Sequence, residues 1–505
     1  MFQNNLLMAA DAATSGGGAA VTSIGNSAFF NKTNAEDLSR TNDTAQTNTK
    51  KWTYSTWIYK CENPVTTNNG LLAGGTGTNN GRTSLFFTAG SLTGDSTFDE
   101  LKFQLFNSSL GWITRYSSMK LRDATGWYHI VLVYDAANAI AADTLIIYVN
   151  GVRAALNTEA AIPDNISLVN ANGVATVVGA ENSLTRVTFN GYMAETVMID
   201  GLALTPTSFG EYDTTGLYWT PLPPDTIKLL TFGNNGFYLD NSSNPETDAS
   251  GEGNNFTNNN TVTLSAMSPT NTHCLLNPLV SPSGVTYSNG NQTFETTTNW
   301  YGVGGTIYVN AGKWYWEIQM GSTNSDFCVG IAASGMLNIA DGSRKNGWVF
   351  CNSVAQKWSF NSNDGSFGSA ATGANDVMIV ALDADAGKVW VGRNGTWFNS
   401  GDPANGTGFM YDNVVGPVTP ACDLNLTSSA AMFATQDADW SHTAPTGFLA
   451  INTTNIAATT TRTASDTNKY FQTTLYEGNG AGQRVGAFQP FDNTFTVGNS
   501  ALFNT

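Results

Sequence analysis

Residues 128–135, YHIVLVYD, constrain the fold more than any other stretch of the chain. Side chains alternate sides along a strand, so Tyr128, Ile130, Leu132 and Tyr134 share one face and His129, Val131 and Val133 the other. On this pattern His129 reads as a packed sheet residue and not as a ligand or base. Residues 52–59, WTYSTWIY, alternate at the same period with aromatic rings on both faces. A third strand, residues 145–149 (LIIYV), runs into Asn150-Gly151, and residues 388–398, KVWVGRNGTWF, repeat the device with Asn394-Gly395. Asn-Gly between apolar runs marks a two-residue hairpin, because both turn residues take positive φ. Long helical periodicity is absent. The reading is an all-β chain of two tandem antiparallel sandwiches, with helix below about 10%.

Composition narrows the function classes. Charged residues make up 12% of the chain, against about 25% in an average domain. Aromatic residues at 11% and 51 glycines argue for many short strands and tight turns, not for disorder. The net charge is −17 and the longest basic runs are Lys50-Lys51 and Arg344-Lys345, so a nucleic-acid partner is not expected. No apolar run is long enough to span a membrane as a helix, and residues 1–10 lack the charged start of a secretory leader. Cys61, Cys274, Cys328, Cys351 and Cys422 show no CxxC spacing, which excludes a zinc ribbon and reads as mostly buried free thiols. His129, His273 and His442 lie far apart in sequence, so a histidine-based metal site is not expected.

At roughly 100–200 residues per domain, 505 residues suit two large modules with connecting structure. Residues 1–20 read as a flexible anchoring arm around Gly16-Gly17-Gly18, and residues 21–219 as the first sandwich. Residues 220–285, opened by Pro221, Pro223 and Pro224 and rich in Asn, Ser and Thr, read as an extended connector. Residues 286–445 form the second sandwich, and residues 446–505 an extended C-terminal segment.

Ordered segments of the first block resemble the laminin-G-like, concanavalin-type domains of bacteriophage structural proteins. The residues that carry this are Trp52-Thr53-Tyr54-Ser55-Thr56-Trp57, Gly126-Trp127-Tyr128-His129-Ile130-Val131, Ile147-Tyr148-Val149-Asn150-Gly151, Gly191-Tyr192-Met193-Ala194-Glu195, Ile199-Asp200-Gly201 and Leu204-Thr205-Pro206-Thr207. The second block resembles a SPRY-like sandwich through Gly312-Lys313-Trp314-Tyr315-Trp316-Glu317, Val329-Gly330-Ile331, Val380-Ala381-Leu382-Asp383 and Trp390-Val391-Gly392-Arg393-Asn394-Gly395-Thr396-Trp397. The resemblance implies a non-catalytic component of a phage particle, on tail or capsid surface. Its expected partners are copies of itself and other virion proteins. A carbohydrate-binding module contacting a host-surface glycan is the alternative.

Candidate chemistry is sparse. Glycosidases need two facing carboxylates, about 5–5.5 Å apart in the retaining class. Glu195 and Asp200 are five residues apart, which places them on opposite faces of one strand, and Glu317 has no acidic neighbour at +2 or +4. No cofactor is expected; Asp95, Asp99 and Glu100 form an acidic loop that could hold calcium, the favoured alternative being a plain solvated loop. Asp383 and Asp385 read as turn residues. Trp348, Trp358 and Trp397 are the candidates for stacking on a sugar ring, with core packing the commoner role of an aromatic residue in a sandwich. For contact between subunits the candidates are Phe2, Leu6, Leu7 and Met8 at the start, and Val497, Leu502 and Phe503 near the end. The last three belong to residues 496–504, TVGNSALFN, an echo of residues 23–31, SIGNSAFFN. A lone strand of this kind must pair with a sheet edge to be stable.

Overall fold

The structure is a computed structural model. It describes residues 23–459, apart from 63–66, 76–80, 90–98, 108, 164–167, 182–186, 214–215, 217, 281–283, 297–299, 322–325, 334–344, 371–374 and 426–428, together with the strands Leu475–Glu477 and Arg484–Val485. Phe2, Leu6, Leu7, Met8, Asp95, Val497, Leu502 and Phe503 lie outside the described residues, as do the arm and the terminal echo. The chain divides into two compact units built on Gly18–Asn271 and Thr272–Tyr470. Each is an antiparallel β-sandwich. The α-helices described are short, Pro224–Ile227 and Thr453–Thr459.

In the first unit the strand Trp127–Asp135 pairs with Lys51–Lys60 on one side and Leu145–Val149 on the other. Gly191–Asp200, Ser27–Phe30 and Thr263–Ser265 continue that sheet. The opposing sheet runs from Thr257–Asn259 through Asp37–Thr41, Ala175–Val178, Asn69–Gly75, Arg82–Phe87 and Glu100–Asn107 to Gly111–Lys120. Leu475–Glu477 pairs with the far edge of Gly111–Lys120. Between the sheets Trp52, Tyr54, Tyr128, Ile130 and Leu132 meet Leu85, Phe87, Leu101, Phe103 and Leu105. Each side chain buried there contributes about 1.5–3 kcal/mol.

The expected connector, residues 220–285, is corrected by the structure. Phe237–Leu239 pairs with Gly191–Asp200, Thr257–Asn259 with Asp37–Thr41, and Thr263–Ser265 with Ser27–Phe30. Ile227, Phe232 and Tyr238 pack on Val131, Val133, Val197 and Ile199, the outer face of the first sheet. The cause is visible in the strand sequences. Trp127–Asp135 and Gly191–Asp200 are apolar on both faces and buried throughout, so a two-layer sandwich would leave one face wet. Ile227, Phe232 and Tyr238 cover that outer face, while Phe237–Leu239, Thr257–Asn259 and Thr263–Ser265 extend the two sheets themselves.

The second unit opposes a sheet ordered Val285–Ser288, Thr293–Thr296, Ser429–Ala434, Lys313–Met320, Val377–Asp383, Lys388–Arg393 and Thr396–Trp397 to one ordered Tyr301–Gly304, Val418–Leu424, Phe327–Ala333, Gly347–Cys351, Gln356–Ser359 and Ser362–Ser366. Residues 446–459 are not an extended tail. Leu449 bridges Trp314, Asn452 bridges His273, and the helix Thr453–Thr459 follows. The cysteine expectation holds for Cys61, Cys274 and Cys422, which are buried and free. It is corrected for the other two. Cys328 and Cys351 face each other in register on adjacent strands, with Cα atoms 4.1 Å apart, and form a disulfide. Pairing in register across two strands brings together thiols 23 residues apart, which spacing alone does not reveal.

Candidate functional site

The hairpin Lys388–Arg393 to Thr396–Trp397 carries a tryptophan between two shallow hollows of the second unit. Its turn residues Asn394 and Gly395 take φ of 48° and 77°. The Asn394 side chain accepts from Val377 N at 2.8 Å and donates to Asp376 at 2.8 Å, which ties the turn to the neighbouring strand. Beyond the turn, Trp397 packs edge-on against Tyr315, ring centroids 6.3 Å apart, and Tyr315 packs edge-on against Trp440 at 4.8 Å.

Glu317 organises the wall opposite Trp397. It is buried, and it accepts from Tyr315 Oη at 2.7 Å, Ser441 N at 2.7 Å and His442 N at 2.8 Å. The His442 ring stands beside it, Nδ1 3.4 Å from Glu317 Oε1. Burial and the Glu317 contact push the Tyr315 phenol well above its ordinary range, so it remains a donor. The His442 ring also lies against Gly395, where a Cβ would come within 2.8 Å of it. The turn glycine therefore serves both the hairpin and the histidine.

Trp397 separates two hollows. One, about 550 Å³, is lined by Ile379, Gly395, Trp440, Ser441, His442 and Thr443. The other, about 580 Å³, is lined by Lys357, Ser366, Phe367, Ser369, Phe398, Asn399 and Phe409, among others. Lys357 Nζ donates to Met410 O at 3.0 Å and lies 4.7 Å from the centre of the Tyr411 ring. Each hollow combines an aromatic wall with hydroxyl, amide or cationic groups.

The other two tryptophans differ from expectation. Trp348 is 5% exposed and packs edge-on against Phe360, so its faces are not open to a ligand. Trp358 is half-buried and packs on Val349 and the Cys328–Cys351 pair. Alternation alone does not separate a core tryptophan from a rim tryptophan. Trp397 sits at the rim because the tight turn two residues before it starts the short edge strand Thr396–Trp397, which ends the sheet. Tyr315, Glu317, Trp440 and His442 went unread as one group, since 125 residues separate Glu317 from His442.

In the first unit the acidic residues are occupied. Asp99 Oδ1 lies 2.7 Å from Lys60 Nζ, and Glu100 Oε1 lies 2.9 Å from Lys120 Nζ. The expected calcium loop thus carries ammonium partners at both described acids, and these would repel a cation. Among the described residues no three His, Cys, Asp or Glu side chains gather as a metal-binding group. Glu195 sits on a β-bulge at φ 52° and accepts from Tyr238 Oη. Asp200 accepts from Thr47 N at 2.9 Å, Asn235 N at 3.1 Å and Asn170 Nδ2 at 2.6 Å. The expected opposite-face placement assumes an unbroken strand, and the bulge between Ala194 and Val197 breaks that alternation; the two carboxylates have separate partners, Tyr238 for Glu195 and Thr47, Asn170 and Asn235 for Asp200. His129 is buried and takes Trp219 Nε1–H on Nδ1 at 2.8 Å, so its Nε2–H donates to Ser55 Oγ at 2.8 Å. Burial lowers its pKa to about 3. Asp383 caps its own turn through Ala386 N at 2.9 Å, and Asp385 accepts from Gly312 N at 3.0 Å.

The geometry defines two antiparallel sandwiches in tandem, the second bearing an aromatic cleft. Comparison with known families identifies them further. Residues 33–208 match the model of the concanavalin A-like lectin/glucanases superfamily, and residues 313–436 match the SPRY domain. The chain is thus a concanavalin-like sandwich followed by a SPRY sandwich. Among solved structures it is similar to the SPRY domain of human HERC1 (15% identity, TM-score 0.26), with 32% of this chain and 96% of that one covered. It is also similar to the TRIM65 PSpry domain (13% identity, TM-score 0.26, 32% and 93% covered). For stonustoxin the figures are 17% identity, TM-score 0.25, and 32% and 27% covered. No curated protein matches the chain.

Proposed function

We propose that the chain is a non-catalytic surface protein of a bacteriophage particle, present in several copies, whose second sandwich holds a carbohydrate against Trp397. The observation that carries the binding reading is the placement of Trp397 between two polar-rimmed hollows. A sugar presents C–H groups to an indole face and hydroxyls to its surroundings, and this rim offers Ser366, Ser369, Asn399, Ser441 and Thr443 to meet them. The hollows fall within the usual range for small-ligand sites, about 300–1,000 Å³.

A hydrolytic role is disfavoured. The family model matched by the first unit includes glucanases by name, yet Glu195 and Asp200 are each engaged by separate partners. Support for the virion reading comes from the order of sequence segments in both blocks. Quantitative mass spectrometry of intact particles tests it. Several copies of the chain per particle are expected, and its absence from purified particles would overturn the assignment.

A further inference from the structure

Lys60 and Asp99 form an ion pair sealed from solvent, both side chains 0% exposed. Lys60 ends the Lys51–Lys60 strand of one sheet of the first unit, and Asp99 immediately precedes the Glu100–Asn107 strand of the other. Lys60 Nζ lies 2.7 Å from Asp99 Oδ1, donates to the Leu121 carbonyl at 2.6 Å and sits 4.7 Å from the centre of the Phe87 ring. Asp99 Oδ2 is buried and has no hydrogen-bond partner among the described residues. Asp99 is held at φ 60°, with its N–H on Thr88 O at 3.1 Å and its carbonyl taking Leu121 N at 3.0 Å. Strands of both sheets therefore fix the carboxyl group against the amine, in a backbone conformation that a side chain rarely adopts.

Two ions withdrawn from water are stable as a pair only when their remaining lone pairs and protons find partners. Here one carboxylate oxygen finds none among the described residues. A single reaction removes both charges.

We propose that Lys60 and Asp99 condense into an intramolecular amide bond that links the two sheets of the first unit. Lys60 Nζ attacks Asp99 Cγ, forming the N–C bond. One Cγ–O bond breaks, and that oxygen leaves with two of the three ammonium hydrogens as water. The third hydrogen stays on the amide nitrogen, placed to donate to the Leu121 carbonyl. No oxidant, reductant or co-reactant is consumed.

Burial and Arg122 lower the Lys60 pKa, while Asp99 and Glu62 oppose them. The net lowering raises the share of free amine, the nucleophilic form. Fixed proximity supplies the high effective concentration that such a step needs. The bond would close a loop between residues 39 apart, constraining the unfolded chain as a disulfide does.

The test is the intact mass of the full-length chain, reduced and denatured, followed by tryptic mapping. The expected mass is below the sequence mass by one water. Trypsin should leave Lys60 uncut, within a branched peptide that carries Asp99. Lys60→Met and Asp99→Ala should each return the full sequence mass, and neither needs to fold for its mass to be read. A wild-type chain of full sequence mass, or a deficit mapped to another residue pair, overturns the proposal.

Discussion

Two buried residues of the first unit set opposite pH limits on its stability. Burial holds His129 at about 3 in the folded state against 6.5 when unfolded, so its contribution is complete above pH 6.5 and is lost as pH falls toward 3. Glu195 is raised by burial to about 8 from 4.5, against the lowering effect of the Tyr238 hydrogen bond. Its contribution is complete below pH 4.5 and is lost as pH rises through 8. Each group changes stability by at most about 1.4 kcal/mol per pH unit. From these two groups, stability rises from about pH 3, is level between 4.5 and 6.5 and falls toward 8. Denaturant melts across that range check the profile, and Glu195→Gln should remove the alkaline decline. His129 shows how far alternation alone can reach: its face was legible in residues 128–135. Its partners Ser55 and Trp219 lie 74 and 90 residues away and were not. Trp348→Ala should cost the second unit about 3–5 kcal/mol as a core truncation. Trp397→Ala, with its ring half in solvent, should cost much less, and thermal melts separate the two.

Hairpins and paired strands carry the next level. Both Asn-Gly turns were legible because their conformational demand is local, and Gly395 at φ 77° meets it. Gly395→Val should strain the turn and displace the His442 ring, destabilising the second unit by more than the about 1 kcal/mol of a simple glycine effect. The Cys328–Cys351 bridge was not legible, because register between strands is a tertiary property. It closes a loop of 23 residues. In the chain-entropy account that is worth about 3 kcal/mol. Reduction should lower the melting temperature of the second unit and leave the first unit unchanged, which differential scanning calorimetry resolves.

Over the whole molecule, the two-sandwich plan was written in strand periodicity and turn chemistry, and the extent of the first unit was not. A Pro-rich and Asn-rich stretch looks like a linker when its few apolar residues are read alone. Ile227, Phe232 and Tyr238 acquire meaning only beside the second apolar face of Trp127–Asp135 and Gly191–Asp200, and Phe237 only in the core between the sheets. A fragment of residues 18–271 should therefore fold cooperatively, whereas residues 18–220 should expose Val131, Val133, Val197 and Ile199 and aggregate or be digested. Limited proteolysis with circular dichroism distinguishes these outcomes. The cleft around Trp397 assembles from hairpin, strand and exit segment, so only its tryptophan was readable in advance. Its purpose is tested most directly by titrating the full-length chain and Trp397→Ala against glycans selected on an array of host-surface carbohydrates. The wild-type chain should bind a defined set without shortening it, and Trp397→Ala should lose about ten-fold or more in affinity, equivalent to about 1.4 kcal/mol of ring contact. Equal binding by both proteins, no binding by the wild type, or release of shortened glycan would contradict the account.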